Sequence, residues 1–219
     1  IANYLEKVRD IASENNIILI FDECTSGFRE TYGGLHKKFG VEPDMAIFAK
    51  ALGNGYAISA CIGKEKFMQA AQKTFISSTF WTERIGPSAA LKTLEVMERE
   101  RSWEQISNTG ASIESKWLEL AQKYELNITT WGLPALAGFT LNSQNSLKYK
   151  TLITQEMLKE GYLAANCVYS CIAHKGEVIS GYYEALEKVF SVIKECEEGR
   201  DIDLLLDSGV CHSGFKRLN

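Results

Sequence analysis

Proline is scarce, with 3 residues in 219, and the 17 glycines fall far short of what a collagen-like or low-complexity chain carries. A hydrophobic share of 45% excludes a disordered segment. No apolar run approaches the roughly 18–20 residues of a membrane-spanning helix, and no secretory signal opens the chain. Neither charge sign dominates: 24 Lys and Arg stand against 28 Asp and Glu, a formal net charge of -4, and the basic residues are scattered. That distribution gives no electrostatic reason to approach nucleic acid or an anionic membrane. The six cysteines (Cys24, Cys61, Cys167, Cys171, Cys196 and Cys211) contain no CxxC pair and are too sparse for a disulfide scaffold. They are expected to be reduced and mostly buried, in a cytoplasmic protein with no metal site. The dinucleotide signature GxGxxG and the phosphate-loop signature GxxxxGK[ST] are absent too. The chain begins with Ile1 instead of Met. The expectation is that further sequence precedes it.

What is present is an alternation of helix and strand. Residues 1–14 place Ile1, Tyr4, Leu5, Val8, Ile11 and Ala12 at helical spacing, and the run Ile17 to Phe21 reads as a strand buried on both faces of a parallel sheet. Asp22 and Glu23 follow at its carboxyl end. The turn Pro43-Asp44 leads into a second apolar run, Met45 to Ala49, which ends at Lys50; a Gly-rich turn then returns through Ala57 to Gly63. Helices are expected over 84–99, 103–124, 148–160 and 176–198, with strands over 127–131, 136–141 and 162–168. The expected organisation is α/β, with residues 1–100 belonging to a large sheet domain and its connecting helix and 101–219 forming a small α+β domain.

Asp22 and Lys50 end two strands, 28 residues apart in the chain, at one edge of a sheet. The crevice beyond strand carboxyl ends is where such sheets bind ligands. A lysine in an apolar crevice loses part of its preference for the charged form, and its amine can then condense with a carbonyl. Pyridoxal 5'-phosphate (PLP) is the aldehyde cofactor suited to that partner, and its electron sink requires a carboxylate facing the ring nitrogen, the role Asp22 can take. The plainer alternative makes Asp22 a turn cap and Lys50 a surface residue. His36, His174 and His212 are scattered and read as core or surface residues. Asp22 and Glu23 are adjacent on one strand, so their side chains face opposite ways and cannot form a facing acid pair.

Two longer strings weigh in. Ile20-Phe21-Asp22-Glu23-Cys24-Thr25-Ser26-Gly27-Phe28-Arg29 resembles the IFDEV-x-TGFR segment of class III PLP-dependent aminotransferases. Pro43-Asp44 through Lys50-Ala51-Leu52-Gly53-Asn54-Gly55 resembles their PD-x5-KA-x-G-x-G segment. Within that family the nearest likeness is to the glutamate-1-semialdehyde aminomutase-like group. The resemblance implies the type I fold of PLP enzymes, here the second half of a large, mostly parallel-sheet domain followed by a small α+β domain. It implies that Lys50 forms the Schiff base and shuttles protons, that Asp22 pairs with the pyridine nitrogen, and that Cys24 packs under the ring where relatives carry valine. Thr25 stands where relatives carry Gln or Met. Ser77 to Arg84 resembles a GTFSGNP stretch, which makes Thr79 the residue reaching the phosphate of a cofactor bound by the other subunit of a homodimer. Trp81, Glu83 and Arg84 replace small residues and a proline there. The implied activity is an aminotransferase or aminomutase acting on a small amino acid, keto acid or amino aldehyde. The resemblance also places the phosphate loop and ring-stacking residue upstream of Ile1, so an incomplete chain serving as a dimerisation or binding module is the alternative.

Overall fold

Helix α1 (Tyr4–Glu14) ends where Asn16 turns to a positive φ of 55° and Ile17 N–H donates to the Ala12 carbonyl at 2.8 Å, a left-handed helix terminus that points the chain into the first strand. The computed structural model describes residues 3–80 and 82–214; Ile1, Ala2, Trp81 and the tail from 215 lie outside them. The chain divides into two compact units, 1–104 and 105–219.

In the first unit, strand β1 (Ile20–Glu23) pairs in parallel with β2 (Met45–Phe48), which pairs antiparallel with β3 (Ala60–Gly63). The register sets Asp22 beside Ile47 and Glu23 beside Phe48. A short helix α2 (Glu65–Met68) and a 3-10 turn (Gln69–Lys73) follow, and then α3 (Ile85–Glu100). Ala46, Phe48, Leu52 and Ala90 form the local core, with Phe28, Ile58, Ala60 and Leu94 packed against them. The expectation that Ile17 to Phe21 is buried on both faces is not met. Ile17, Ile18 and Ile20 are about half exposed. The three-stranded sheet leaves β1 at its edge, and among the described residues nothing covers these side chains.

The leading ends of the two parallel strands are tied by one carboxylate. Asp44, buried, accepts from Leu19 N–H (2.9 Å), Arg9 of α1 (2.9 Å) and Lys64 just after β3 (2.8 Å). Two cations and a backbone N–H stabilise the charged form and hold its pKa far below the usual 3.8.

The second unit begins within α4 (Ser102–Lys123) and continues through β4 (Ile128–Leu133), β5 (Leu136–Leu141), α5 (Ser146–Lys159), β6 (Cys167–Tyr169) and α6 (Gly176–Glu197). Its antiparallel sheet runs β4-β5-β6, and the central strand turns Ala137, Phe139 and Leu141 inward. Trp117, Phe139, Tyr149, Ile153, Leu186 and Phe190 are almost wholly buried in one core. Trp117 Nε1 donates to the Tyr182 hydroxyl at 2.8 Å, so the one polar atom of the indole is satisfied there. The cysteines depart from expectation: Cys196 is buried, Cys24 and Cys211 are half-buried, and Cys61, Cys167 and Cys171 are exposed. The last two lie on or just past a short edge strand, which explains why an apolar neighbourhood in sequence does not bury them.

Candidate active site

The carboxyl ends of β1 and β2 carry the candidate site residues Asp22 and Lys50. Alternation along β1 sends Asp22 to the exposed side and Glu23 inward, as the strand period requires. Glu23 organises the loop that follows. Its carboxylate accepts from the Ser26 hydroxyl (2.6 Å), Leu35 N–H (2.9 Å) and His36 N–H (2.9 Å), and lies 3.0 Å from His36 Nδ1. Burial pushes the Glu23 pKa up, but the hydrogen bonds from Ser26, His36 and Leu35 outweigh it and the net shift is downward. Sequence reasoning paired Glu23 with nothing. The available signal was the strand period, which buries it and obliges it to find donors.

The loop itself is tightly constrained. Gly27 N–H donates to the Glu23 carbonyl at 2.8 Å, and a Cβ at Gly27 would come within 2.6 Å of the Phe48 ring and 2.8 Å of that carbonyl. Only glycine fits. Phe28 adopts a positive φ of 58°, secured by its N–H donating to the Gly33 carbonyl at 2.7 Å, and its ring packs on Phe48. Arg29 Nε donates to the Thr25 carbonyl at 2.7 Å.

Asp22 is exposed, and its Oδ1 accepts from Cys24 N–H at 3.0 Å, so it does cap the following turn. That backbone donor is the first cause of its lowered pKa, followed by the Cys24 side chain, with Lys50 adding a smaller electrostatic pull. Asp22 in turn raises the Cys24 thiol above its ordinary value and keeps it protonated. Lys50 follows β2 after one extended residue, Ala49, and takes a positive φ of 43°. For a non-glycine residue that backbone is strained by about 1–3 kcal/mol. The side chain is exposed, not sunk in an apolar crevice, and Nζ donates to Thr25 Oγ1 at 2.5 Å. Asp22, Cys24, Thr25 and Lys50 therefore share one end of the sheet.

Thr79 lies exposed in the loop before α3. The backbone N–H groups at the start of α3 are engaged by Glu83, whose carboxylate accepts from Ile85 N–H and, at 3.2 Å, from Gly86 N–H. The Glu83 substitution seen in the sequence thus has a local role. An acidic side chain at a helix N-terminus is favourable on electrostatic grounds.

A parallel strand pair ends here in a carboxylate and a strained lysine, the arrangement that the resemblance implies for a type I PLP-enzyme fold. Residues 1–175 match the class III aminotransferase family model, and the chain belongs to that family. It is similar to a 3-aminobutyryl-CoA aminotransferase of Cloacimonas acidaminovorans (strain Evry), 34% identical over 198 residues, covering 88% of this chain and 48% of that protein. It is also similar to the glutamate-1-semialdehyde 2,1-aminomutase of Methanocaldococcus jannaschii, 28% identical over 204 residues and covering 85% and 48% of the two chains. In fold it matches the FumI protein of Sphingopyxis sp. MTA144, solved in its PLP internal aldimine form, with a TM-score of 0.83, 21% identity and coverage of 92% and 49%. The chain spans about half the length of the curated relatives it matches.

Proposed function

We propose that this chain supplies the lysine and the ring-nitrogen carboxylate of a PLP-dependent aminotransferase or aminomutase acting on a small amino acid, keto acid or amino aldehyde. The observation that carries the reading is the placement of Asp22 at the end of β1 and Lys50 just past the end of the neighbouring parallel strand β2, the amine exposed and the carboxyl's pKa lowered. The fit is good for an aldehyde and a protonated ring nitrogen. PLP held here would supply an electron sink to the amino group of a bound amino acid and so make that substrate's α-hydrogen labile. Lys50 would hold the aldehyde through its amine and, with the amine free, would take up and return a proton at the substrate carbon. Asp22 keeps the ring nitrogen protonated by facing it with a negative charge, and Cys24 packs beside it as a soft, neutral thiol. Thr79 is assigned to the phosphate held by a partner subunit, which makes the functional unit a cytoplasmic homodimer with composite sites and no role for nucleic acid or membrane.

Borohydride treatment of the full-length protein after exposure to PLP tests the reading. A pyridoxyl adduct on Lys50, found by mass spectrometry and lost in Lys50→Ala, is the expected result; no adduct on Lys50 would sink it. The second reading takes the chain as a dimerisation or binding module without turnover. That reading predicts dimers without the adduct.

A further inference from the structure

Among the described residues Thr25 is the one side chain that accepts a hydrogen bond from the Lys50 amine, and the resemblance that assigned Asp22, Cys24 and Thr79 left it without a role. We propose that Thr25 is a positioning residue for Lys50: its hydroxyl parks the free amine at the end of β1 and thereby governs how readily Nζ meets a carbonyl. The proposal rests on the reading of Lys50 as the reacting amine.

The geometry has three parts. First, the contact is short, 2.5 Å from Nζ to Oγ1, and it joins residues 25 apart in sequence, so it is a product of the strand pairing and not of local chain proximity. Second, Thr25 is anchored on both sides. Asp22 holds Cys24 N–H, Glu23 holds the Ser26 hydroxyl and Gly27 N–H, and Arg29 holds the Thr25 carbonyl. The threonine backbone is fixed before the lysine arrives, so the hydroxyl is a preorganised acceptor. Third, Lys50 comes to it from a left-handed backbone, φ 43°, that an L side chain adopts only when surrounding structure enforces it. An ammonium donates and cannot accept, so in this arrangement Thr25 must be the acceptor and its own proton is free to turn elsewhere. Attack on a carbonyl needs the nitrogen lone pair, so Nζ must shed a proton, and an acceptor that favours the ammonium and holds the nitrogen in place slows that attack. Lys50 acts electrostatically on Asp22 and Cys24, and both stay in place on a change at Thr25 that preserves the turn.

The test uses the full-length protein, freed of bound aldehyde with hydroxylamine and dialysed, and reads reductive methylation by formaldehyde and cyanoborohydride, lysine by lysine, by mass spectrometry. Thr25→Val removes the acceptor while keeping shape and branching; Thr25→Ser keeps it. Lys64, whose amine pairs with Asp44, is the internal reference. We expect Lys50 in Thr25→Val to label about threefold faster than in the wild type, with Thr25→Ser at the wild-type rate and Lys64 unchanged in both, since a net hydrogen bond of this kind is worth about 1 kcal/mol or less when exposed. Equal Lys50 rates in wild type and Thr25→Val would overturn the proposal. So would a Thr25→Ser protein that labels like Thr25→Val, or a parallel rise at Lys64, which would show that the loop had merely loosened. Methylation needs no PLP, so its outcome is separate from the pyridoxyl adduct that tests the function.

Discussion

Lys50 is held in a backbone conformation that glycine adopts freely and lysine does not. Replacing it therefore has two separable effects. Lys50→Ala removes the amine and keeps the strain, whereas Lys50→Gly removes both. Chemical denaturation of the full-length protein should find Lys50→Gly more stable than Lys50→Ala by about 1 kcal/mol, both being inactive. At Glu23 the effect runs the other way. Glu23→Ala would leave Leu35 N–H, His36 N–H and the Ser26 hydroxyl without their acceptor in a buried site, and a loss of about 2–3 kcal/mol is expected, seen as faster hydrogen exchange across residues 24–36. Because the folded-state pKa of Glu23 lies below its ordinary 4.5, its contribution is present above that pH and fades as the pH falls through the folded value. Loop protection should drop on acidification below about 4.5 in the wild type, and Glu23→Gln should flatten that dependence.

At the scale of elements, the order of helices and strands was legible from periodicity, and so was the return of β3 beside β2. Asp22 and Lys50 were legible because charged residues closing two apolar runs are conspicuous. Edge status was not: nothing in Ile17-Ile18-Leu19-Ile20-Phe21 tells a central strand from one left uncovered, since both are written in β-branched residues. The Thr25 contact was hidden for a different reason. It depends on a strained φ at Lys50 and on the loop geometry that Glu23 imposes, and neither leaves a mark in local composition. Helix α3 shows a third limit, because Glu83 looked like a departure from a motif and proves to be the group that satisfies the first N–H groups of the helix. Glu83→Ala should fray that terminus, exposing Ile85 and Gly86 amides to exchange at a cost of about 1 kcal/mol.

At the scale of the whole molecule, the small unit carries its own core, and Trp117→Ala should cost about 3–5 kcal/mol, with the loss of exchange protection concentrated in residues 105–197. The composite site proposed above makes a sharper forecast. An equal mixture of Lys50→Ala and Thr79→Ala chains, each inactive or weakened alone, should recover about a quarter of the wild-type activity after subunit exchange, because half of the dimers are then mixed and one of the two sites in each is intact; no recovery would place Thr79 outside the partner's site. Asp44 bears on how such activity is read. It joins the strands at the end remote from Lys50, at Leu19 and Met45 where the pairing starts, so it acts as an alignment pin for the whole ladder. Its carboxylate is charged throughout the ordinary range and loses its hold on Arg9 and Lys64 only in strong acid. Acidification through the span of an ordinary rate profile would therefore leave the pin seated and the two strand ends in step, so an acidic limb there belongs to other groups, the Glu23 loop among them.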